Sequence, residues 1–450
     1  MNFYQDIFFR SLDILRGRRT IERLGFLRES QFWDATTLEA WQLARLNELL
    51  EHARSSTTYY ARTLRNIRLP LESVEELAML PPLTKRDIVA NHADLQSRTI
   101  DRGRFVASRT GGSTGEPMRY FWDKRGMDWN RASVYRSAEW AGVALGERTV
   151  QMSGSHFDYT QSQKLQNKLV CFLQRYRELP VGILTDGILE SYFERLNAFR
   201  PTSIWGYSSG IAAMAEHVAR RHPCAPLDFV RAIITSSETL RPDQRRLIDS
   251  VFGPGRVHDN YGSREMYIGA ECRQHDGYHL HSEVLIVEVV DDSMQPCMPG
   301  VRGRILLTDL SNHAFPFIRY EIGDVGSLAS DAPCPCGIRL PRLQAVEGRI
   351  ADLVVLKDRV LSPPNFTLIF SDFPGILGYQ IRQDSIDALD VLVVRGAEYS
   401  DRVERYVMGS LQTLVGEGVS LRLKLVDEIP VSESGKRRYI ISRVGRVGTP

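Results

Sequence analysis

The stretch Ser108-Arg109-Thr110-Gly111-Gly112-Ser113-Thr114-Gly115-Glu116-Pro117 constrains this chain more than any other. Glycines let a backbone approach a ligand closely, and the exposed N–H groups and hydroxyls then make an anion cradle suited to a nucleotide's phosphates. No Gly-Lys-Ser/Thr closes the loop, so it is not a Walker A loop. Met118-Arg119-Tyr120-Phe121-Trp122 reads as a strand, whereas a dinucleotide fingerprint would run into a helix. A plain surface loop is the competing reading while the stretch stands alone.

The 450 residues are enough for two or more domains. A net charge of +2 argues against a nucleic-acid binder that relies on bulk basicity. No apolar run reaches the roughly 18–20 residues that cross a membrane. The N-terminus lacks a signal core, since Asp6, Arg10, Asp13 and Arg16 interrupt it. Six cysteines in so long a chain do not make a disulfide framework, and a cytoplasmic enzyme is the expectation.

Thr36 and Glu39 predict a capping box for a helix over 36–54, with Leu43, Leu46, Leu50 and Ala53 on one face. Thr84 to Asp87 starts another helix. From about 130 to 260 the pattern alternates: helix 187–199, strand 203–207, helix 209–221, then a strand from Val230 to Thr235. That order predicts a parallel α/β domain, whose ligands sit beyond the carboxyl ends of the strands. Gly206, Tyr207 and Ser208, with Ser236, Ser237 and Glu238, occupy those ends. Short strands over about 278–345 predict a β-rich subdomain. Beyond Gly348-Arg349 the chain reads as a separate α+β domain. Strands are expected at 352–357, 377–382, 389–394 and 420–426, with a helix near 400–415.

Four further motifs follow the loop: Asn260-Tyr261-Gly262-Ser263-Arg264-Glu265, Tyr320-Glu321-Ile322-Gly323-Asp324, Glu347-Gly348-Arg349, and Ser434-Gly435-Lys436. In this order they resemble the adenylate-forming superfamily of acyl-CoA ligases. Within it the likeness is to the phenylacetate–CoA ligase family and its capsular-polysaccharide-biosynthesis branch. The resemblance implies a large N-terminal α/β, β-rich adenylate-forming domain over 1–347. It also implies a small mobile C-terminal α+β domain over 348–450.

It further implies attack of a carboxylate on ATP to give an acyl-adenylate, followed by acyl transfer and release of AMP. Thr110, Gly111, Gly112, Ser113, Thr114 and Gly115 would wrap phosphate. Tyr261 would flank the adenine, with Ser237 and Glu238 at its edge, and Asn260, Gly262 and Ser263 would also belong to the nucleotide site. Asp324 would take the ribose hydroxyls, with Arg349 nearby. Glu265 would hold Mg²⁺. Lys436 would stabilise charge at the α-phosphate, brought in and withdrawn by rotation of its domain. The acid pocket would use Ser155, His156, Gly206, Tyr207 and Ser236.

Three positions depart from the superfamily pattern. Glu116 replaces a lysine, and Ala351 stands where a hinge aspartate is common, with Asp352 beside it. Arg264 replaces a threonine and would contact phosphate in compensation. CoA is the default acceptor; an amine, a hydroxyl or a carrier protein is the alternative, and a homodimer is permitted. A degenerate nucleotide-binding protein is the reading from another class, although the presence of Glu265 and Lys436 disfavours it.

Cys272, His279 or His281, Cys334 and Cys336 would complete a tetrahedral structural Zn²⁺ site of a kind that some relatives carry; reduced structural cysteines are the competing reading. Cys297 is a weaker candidate, and Cys171 and Cys224 have no evident partner.

Overall fold

The computed structural model describes residues 4–101, 103, 105–109, 118–153, 171–181, 184–223, 227–238, 240, 242–330, 332–347, 354–361, 363–370, 375–429 and 440–444. The chain divides into two compact units. One holds Met1–Arg109, Met118–Glu147 and His258–Arg349; the other holds Thr110–Pro117, Arg148–Val257 and Ile350–Pro450.

In the first unit the long early helix runs Ala35–Ser56 and buries Leu38, Leu46, Leu49, Leu50 and Ala53. Its cap is Asp34, whose carboxylate accepts from the Thr37 N–H, so the expected Thr36/Glu39 box does not form. The cap stands two residues earlier than expected because an anionic acceptor is already present at position 34. A capping box forms instead at the Lys85–Ala90 helix, whose start at Thr84 is as expected: Thr84 and Asp87 bond reciprocally.

An antiparallel sheet organises this unit, with strands in the order Leu285–Val290, Gly303–Asp309, Tyr320–Leu328, Arg342–Glu347, Tyr278–Leu280, Tyr267–Glu271 and Val257–Gly262. The expected β-rich region therefore starts about twenty residues earlier, at Val257. Ile305, Leu307, Phe315 and Phe317 bury one contiguous core with Leu46, Leu50 and Tyr120.

A charged knot lies inside the same unit. Arg136, fully buried, donates two hydrogen bonds to the Glu283 carboxylate at 2.6 and 2.9 Å and a third to the Leu27 carbonyl. Ser30 donates to the same carboxylate at 2.6 Å. So many partners are what a buried ion pair requires if it is not to cost stability.

In the second unit four parallel strands run in the order Ala232–Thr235, Ser203–Gly206, Thr149–Met152 and Tyr176–Glu178. Helices Asp186–Phe199, Ser208–Arg221 and Pro242–Phe252 supply Leu189, Leu196, Ile211, Met214, Ile248 and Phe252 to their core. This is the alternation expected from sequence, and it leaves the Gly206 and Thr235 strand ends where a parallel sheet gathers ligands.

The C-terminal segment has its own mixed sheet, ordered Ser420–Val426, Ala388–Arg395, Ile376–Ser385, Ile440–Ser442. Val407, Leu411 and Leu414 of the Asp401–Val415 helix are buried in a core drawn wholly from residues 354–440.

Candidate functional site

The first unit brings Tyr261 and Asp324 together. Tyr261 lies near the end of the Val257–Gly262 strand and is buried. Its hydroxyl donates to Asp324 Oδ2 at 3.0 Å. Asp324 follows Gly323, whose φ of +88° is a backbone that glycine adopts without strain. An aromatic face and a carboxylate held by one hydrogen bond offer a stacking surface and an acceptor for a ligand's hydroxyls.

Glu265 sits on the tight turn between the Val257–Gly262 and Tyr267–Glu271 strands. Ser263 Oγ accepts from the backbone N–H of Glu265 and of Met266 at 3.2 and 3.3 Å, while Ser263 N–H bonds back to the Met266 carbonyl at 2.8 Å. The turn leaves Glu265 buried and Arg264 exposed. The Asn260 side chain donates to the Tyr267 hydroxyl.

Tyr120, fully buried, accepts from Ser108 Oγ at 2.9 Å and donates to the Arg264 carbonyl. Burial, reinforced by the nearby Glu265 carboxylate, holds this phenol well above its ordinary range, so it stays a proton donor. Strands Val106–Arg109 and Arg119–Trp122 pair antiparallel from Val106↔Trp122 to Arg109↔Arg119. Tyr120 thus ties the hairpin that bounds the glycine-rich loop to the turn that carries Glu265. Sequence reading missed it, because an aromatic residue in a strand looks like ordinary core packing and its partner is 144 positions away.

In the second unit, Gly206 is required by close approach: a Cβ there would lie 2.0 Å from the Met152 carbonyl oxygen. Tyr207 N–H bonds that same oxygen at 3.0 Å, and Ser236 N–H bonds the Gly206 carbonyl at 3.0 Å. Ser237 has φ of +70°, a strained backbone for a residue with a side chain. Glu238 Oε2 accepts from Ser209 N–H at 2.9 Å and Ser208 Oγ at 3.3 Å, which caps the Ser208–Arg221 helix. Its other oxygen is buried with no hydrogen-bond partner among the described residues. Thr110, Gly111, Gly112, Ser113, Thr114, Gly115, Ser155, His156, Arg349 and Lys436 lie outside the described residues.

The cysteine cluster assembles in the first unit. Cys272 Sγ lies 3.7 Å from Cys334 Sγ, and Cys336 Sγ lies 3.3 Å from His279 Nε2. All four donor atoms fall within 4.8 Å of one another. Zinc bonds of about 2.0–2.3 Å in a tetrahedron put neighbouring donors roughly 3.5–3.8 Å apart, so the set fits that ion. The Gln274 and Ile338 N–H groups each donate to a cysteine sulfur at 3.4 Å, which favours thiolates. His279 Nδ1 faces the Leu340 carbonyl at 3.4 Å, leaving Nε2 for a metal.

Burial pushes the Cys272 thiol up to about 12 and His279 down to about 4. A divalent cation would offset the first shift and suits the neutral imidazole of the second. The choice between the two histidines falls to His279. Both nitrogens of His281 are taken, by Arg136 at 2.7 Å and Ser137 Oγ at 3.0 Å. Cys297 stands apart from the cluster.

Comparison with known proteins agrees with this architecture. Residues 354–443 match the model of the CapK C-terminal domain. Protein CapK of Staphylococcus aureus is 23% identical over 414 residues, covering 90% of this chain and 89% of its own. The phenylacetate–coenzyme A ligase of Thermus thermophilus is 22% identical over 435 residues, covering 90% and 96%. The crystal structure of 2-hydroxyisobutyryl-CoA ligase in complex with 2-HIB-AMP and CoA superposes with a TM-score of 0.63 at 20% identity, covering 92% of each chain. Along about 90% of its length the chain is thus similar to CapK and the phenylacetate–coenzyme A ligases, and it shares the fold of an acyl-CoA ligase.

Proposed function

We propose that this protein is an ATP-dependent, AMP-forming ligase that activates a carboxylic acid as its acyl-adenylate and passes the acyl group to an acceptor. The observation that carries the reading is the Tyr261–Asp324 hydrogen bond, which sets an aromatic residue and a carboxylate from two non-adjacent strands beside each other in a chain similar to phenylacetate–coenzyme A ligases. Tyr261 would stack on the adenine, and Asp324 would accept from both ribose hydroxyls. Residues 110–115 would hold the phosphates through backbone N–H and hydroxyl groups. Glu265, buried on a turn fixed by Ser263 and Tyr120, is the residue that would hold Mg²⁺, which offsets charge as pyrophosphate leaves.

The acid's carboxylate oxygen attacks the α-phosphorus, the bond to the β-phosphate oxygen breaks, and pyrophosphate departs. Lys436 would stabilise the charge growing on the α-phosphate. The 348–450 segment would act as a lid that brings this lysine in for adenylation and withdraws it for transfer. Gly206, Tyr207 and Ser236 would floor the acid pocket, and Ser237 and Glu238 would line the adenine edge. In the second half-reaction the acceptor attacks the acyl carbon and AMP leaves. CoA is the acceptor that the relatives support; likeness to CapK keeps an amine or hydroxyl acceptor in view. The cysteine cluster would hold zinc as a structural staple.

The test is release of pyrophosphate from ATP across a panel of aryl, aliphatic and hydroxy acids, without acceptor and then with CoA or amines. Acid-dependent release identifies the substrate class. Silence across the panel, with ATP binding intact by calorimetry, would replace the ligase reading with that of a nucleotide-binding protein that does not ligate.

A further inference from the structure

A second convergence of metal-binding groups lies in the other unit, on the Asp186–Phe199 and Ser208–Arg221 helices. Glu190 is one turn beyond Asp186 on the first helix. His217 is in the last turns of the second, and His222 is the residue that ends it. His222 has left the helical backbone, with φ of −134° and ψ of 52°, and its ring stacks on Phe193 at 3.8 Å between centroids. Three donor groups meet there. His217 Nε2 is 3.0 Å from Glu190 Oε2, and His222 Nε2 is 2.8 Å from Oε1 and 3.0 Å from Oε2. One atom from each of the three residues lies within 4.8 Å of the others.

His217 is held between two carboxylates. This ring is almost fully buried, at 2% exposure. Its Nε2 faces Glu190, while its Nδ1 faces the Asp186 carboxylate at 3.6 Å and has no hydrogen-bond partner among the described residues. An imidazole with a single N–H between two carboxylates turns a lone pair on one of them, and only a second proton or a metal ion relieves that. A metal ion at Nε2 removes that conflict: the lone pair binds the ion, and the N–H moves to Nδ1, facing Asp186. Carboxylate, histidine and metal in this order is the usual way a second carboxylate orients a histidine ligand. Asp186 keeps its charge through pairing with Arg220 and Arg221.

We propose that Glu190, His217 and His222 form a second divalent-metal site, separate from the cysteine cluster and open to one further ligand. Two imidazoles and one carboxylate suit Zn²⁺ or another late first-row ion rather than Ca²⁺ or Mg²⁺, which take oxygen ligands. The ion has a route in, because the His222 and Glu190 side chains are 28% and 40% exposed. Bound there, it would fasten the two helices beside the strand that ends at Gly206.

The experiment is Zn²⁺ calorimetry on the purified full chain, with wild type, His222→Ala, Glu190→Gln and Cys336→Ser in parallel. His222 ends a helix and is partly exposed, so its loss leaves the fold measurable by circular dichroism. We expect a binding step in wild type that persists in Cys336→Ser. It weakens at least tenfold in His222→Ala and in Glu190→Gln. Co²⁺ gives an independent readout without a cysteine variant: the ion lost on His222→Ala substitution should carry no thiolate-to-metal charge-transfer band. A wild-type chain without such a step overturns the site. So does a step of equal strength in both the His222 and Glu190 variants.

Discussion

Replacing Tyr120 by Phe deletes one oxygen and keeps the ring. That oxygen, on a fully buried ring, accepts from half-buried Ser108 and donates to the carbonyl of Arg264, whose side chain is exposed. A net hydrogen bond is worth about 1 kcal/mol, and a buried partner left unsatisfied costs about 1–3 kcal/mol. The Arg264 carbonyl and the Ser108 hydroxyl both lose this partner but are only partly buried, so unfolding stability should fall by about 1–2 kcal/mol. The Glu265 turn would also lose its tether to the hairpin. If about 1–2 kcal/mol of that is felt in the transition state for adenylation, the rate falls roughly 5- to 30-fold.

Ser108→Ala is the control, because it leaves the bond from Tyr120 to Arg264 in place. It should cost stability but little rate. Pyrophosphate release under saturating ATP and acid, paired with urea unfolding, separates the two effects. A folded Tyr120→Phe protein with wild-type turnover would refute the coupling between hairpin and turn. So would equal rate losses in the two variants.

Four more outcomes are expected. Asp324→Ala should raise the KM for ATP at least tenfold with a smaller change in kcat, whereas an unchanged KM would remove Asp324 from the nucleotide site. Cys272→Ser should lose about one zinc per chain by elemental analysis and lower the melting temperature, as should strong chelators acting on the wild type. Gly206→Ala should fail to fold or lose several kcal/mol, because Met152 is held in a central strand and its carbonyl cannot retreat from a Cβ 2.0 Å away. His313, lowered to about 4 by burial and Arg125, sets a pH dependence. Its folded pKa is below the unfolded value, so the folded state binds fewer protons and stability rises as pH climbs from about 4 to 6.5. The rise is at most about 3 kcal/mol, and His313→Gln should flatten it in urea titrations at several pH values.

Much of this arrangement is legible in the chain. Alternating apolar segments marked the parallel strands and the helices between them, because periodicity records which face is buried. Motif order along the chain marked Tyr261, Glu265 and Asp324 as a set. The cysteine cluster was legible as residue types, but the identity of its histidine was not. His279 and His281 are two apart, and what decides between them is that Arg136 and Ser137, far away in sequence, occupy His281. Local competition also misled: Thr36 with Glu39 has the spacing of a capping box, yet Asp34 captures the Thr37 N–H first. The links that sequence hid are long-range ones, such as Tyr120 to Arg264, since no local pattern encodes them.

The backbone crossing at Gly206 bears on how such a protein could change its diet. A position that admits no side chain is closed to substitution, so the strand floor beside Met152 is a fixed wall in any descendant of this chain. If that floor holds the acid, new substrate preferences must be written at Tyr207 and Ser236, whose backbones are anchored by the same crossing but whose side chains are not part of it. A library confined to those two positions would sample the adjustable part of the pocket without spending clones on the part that cannot move.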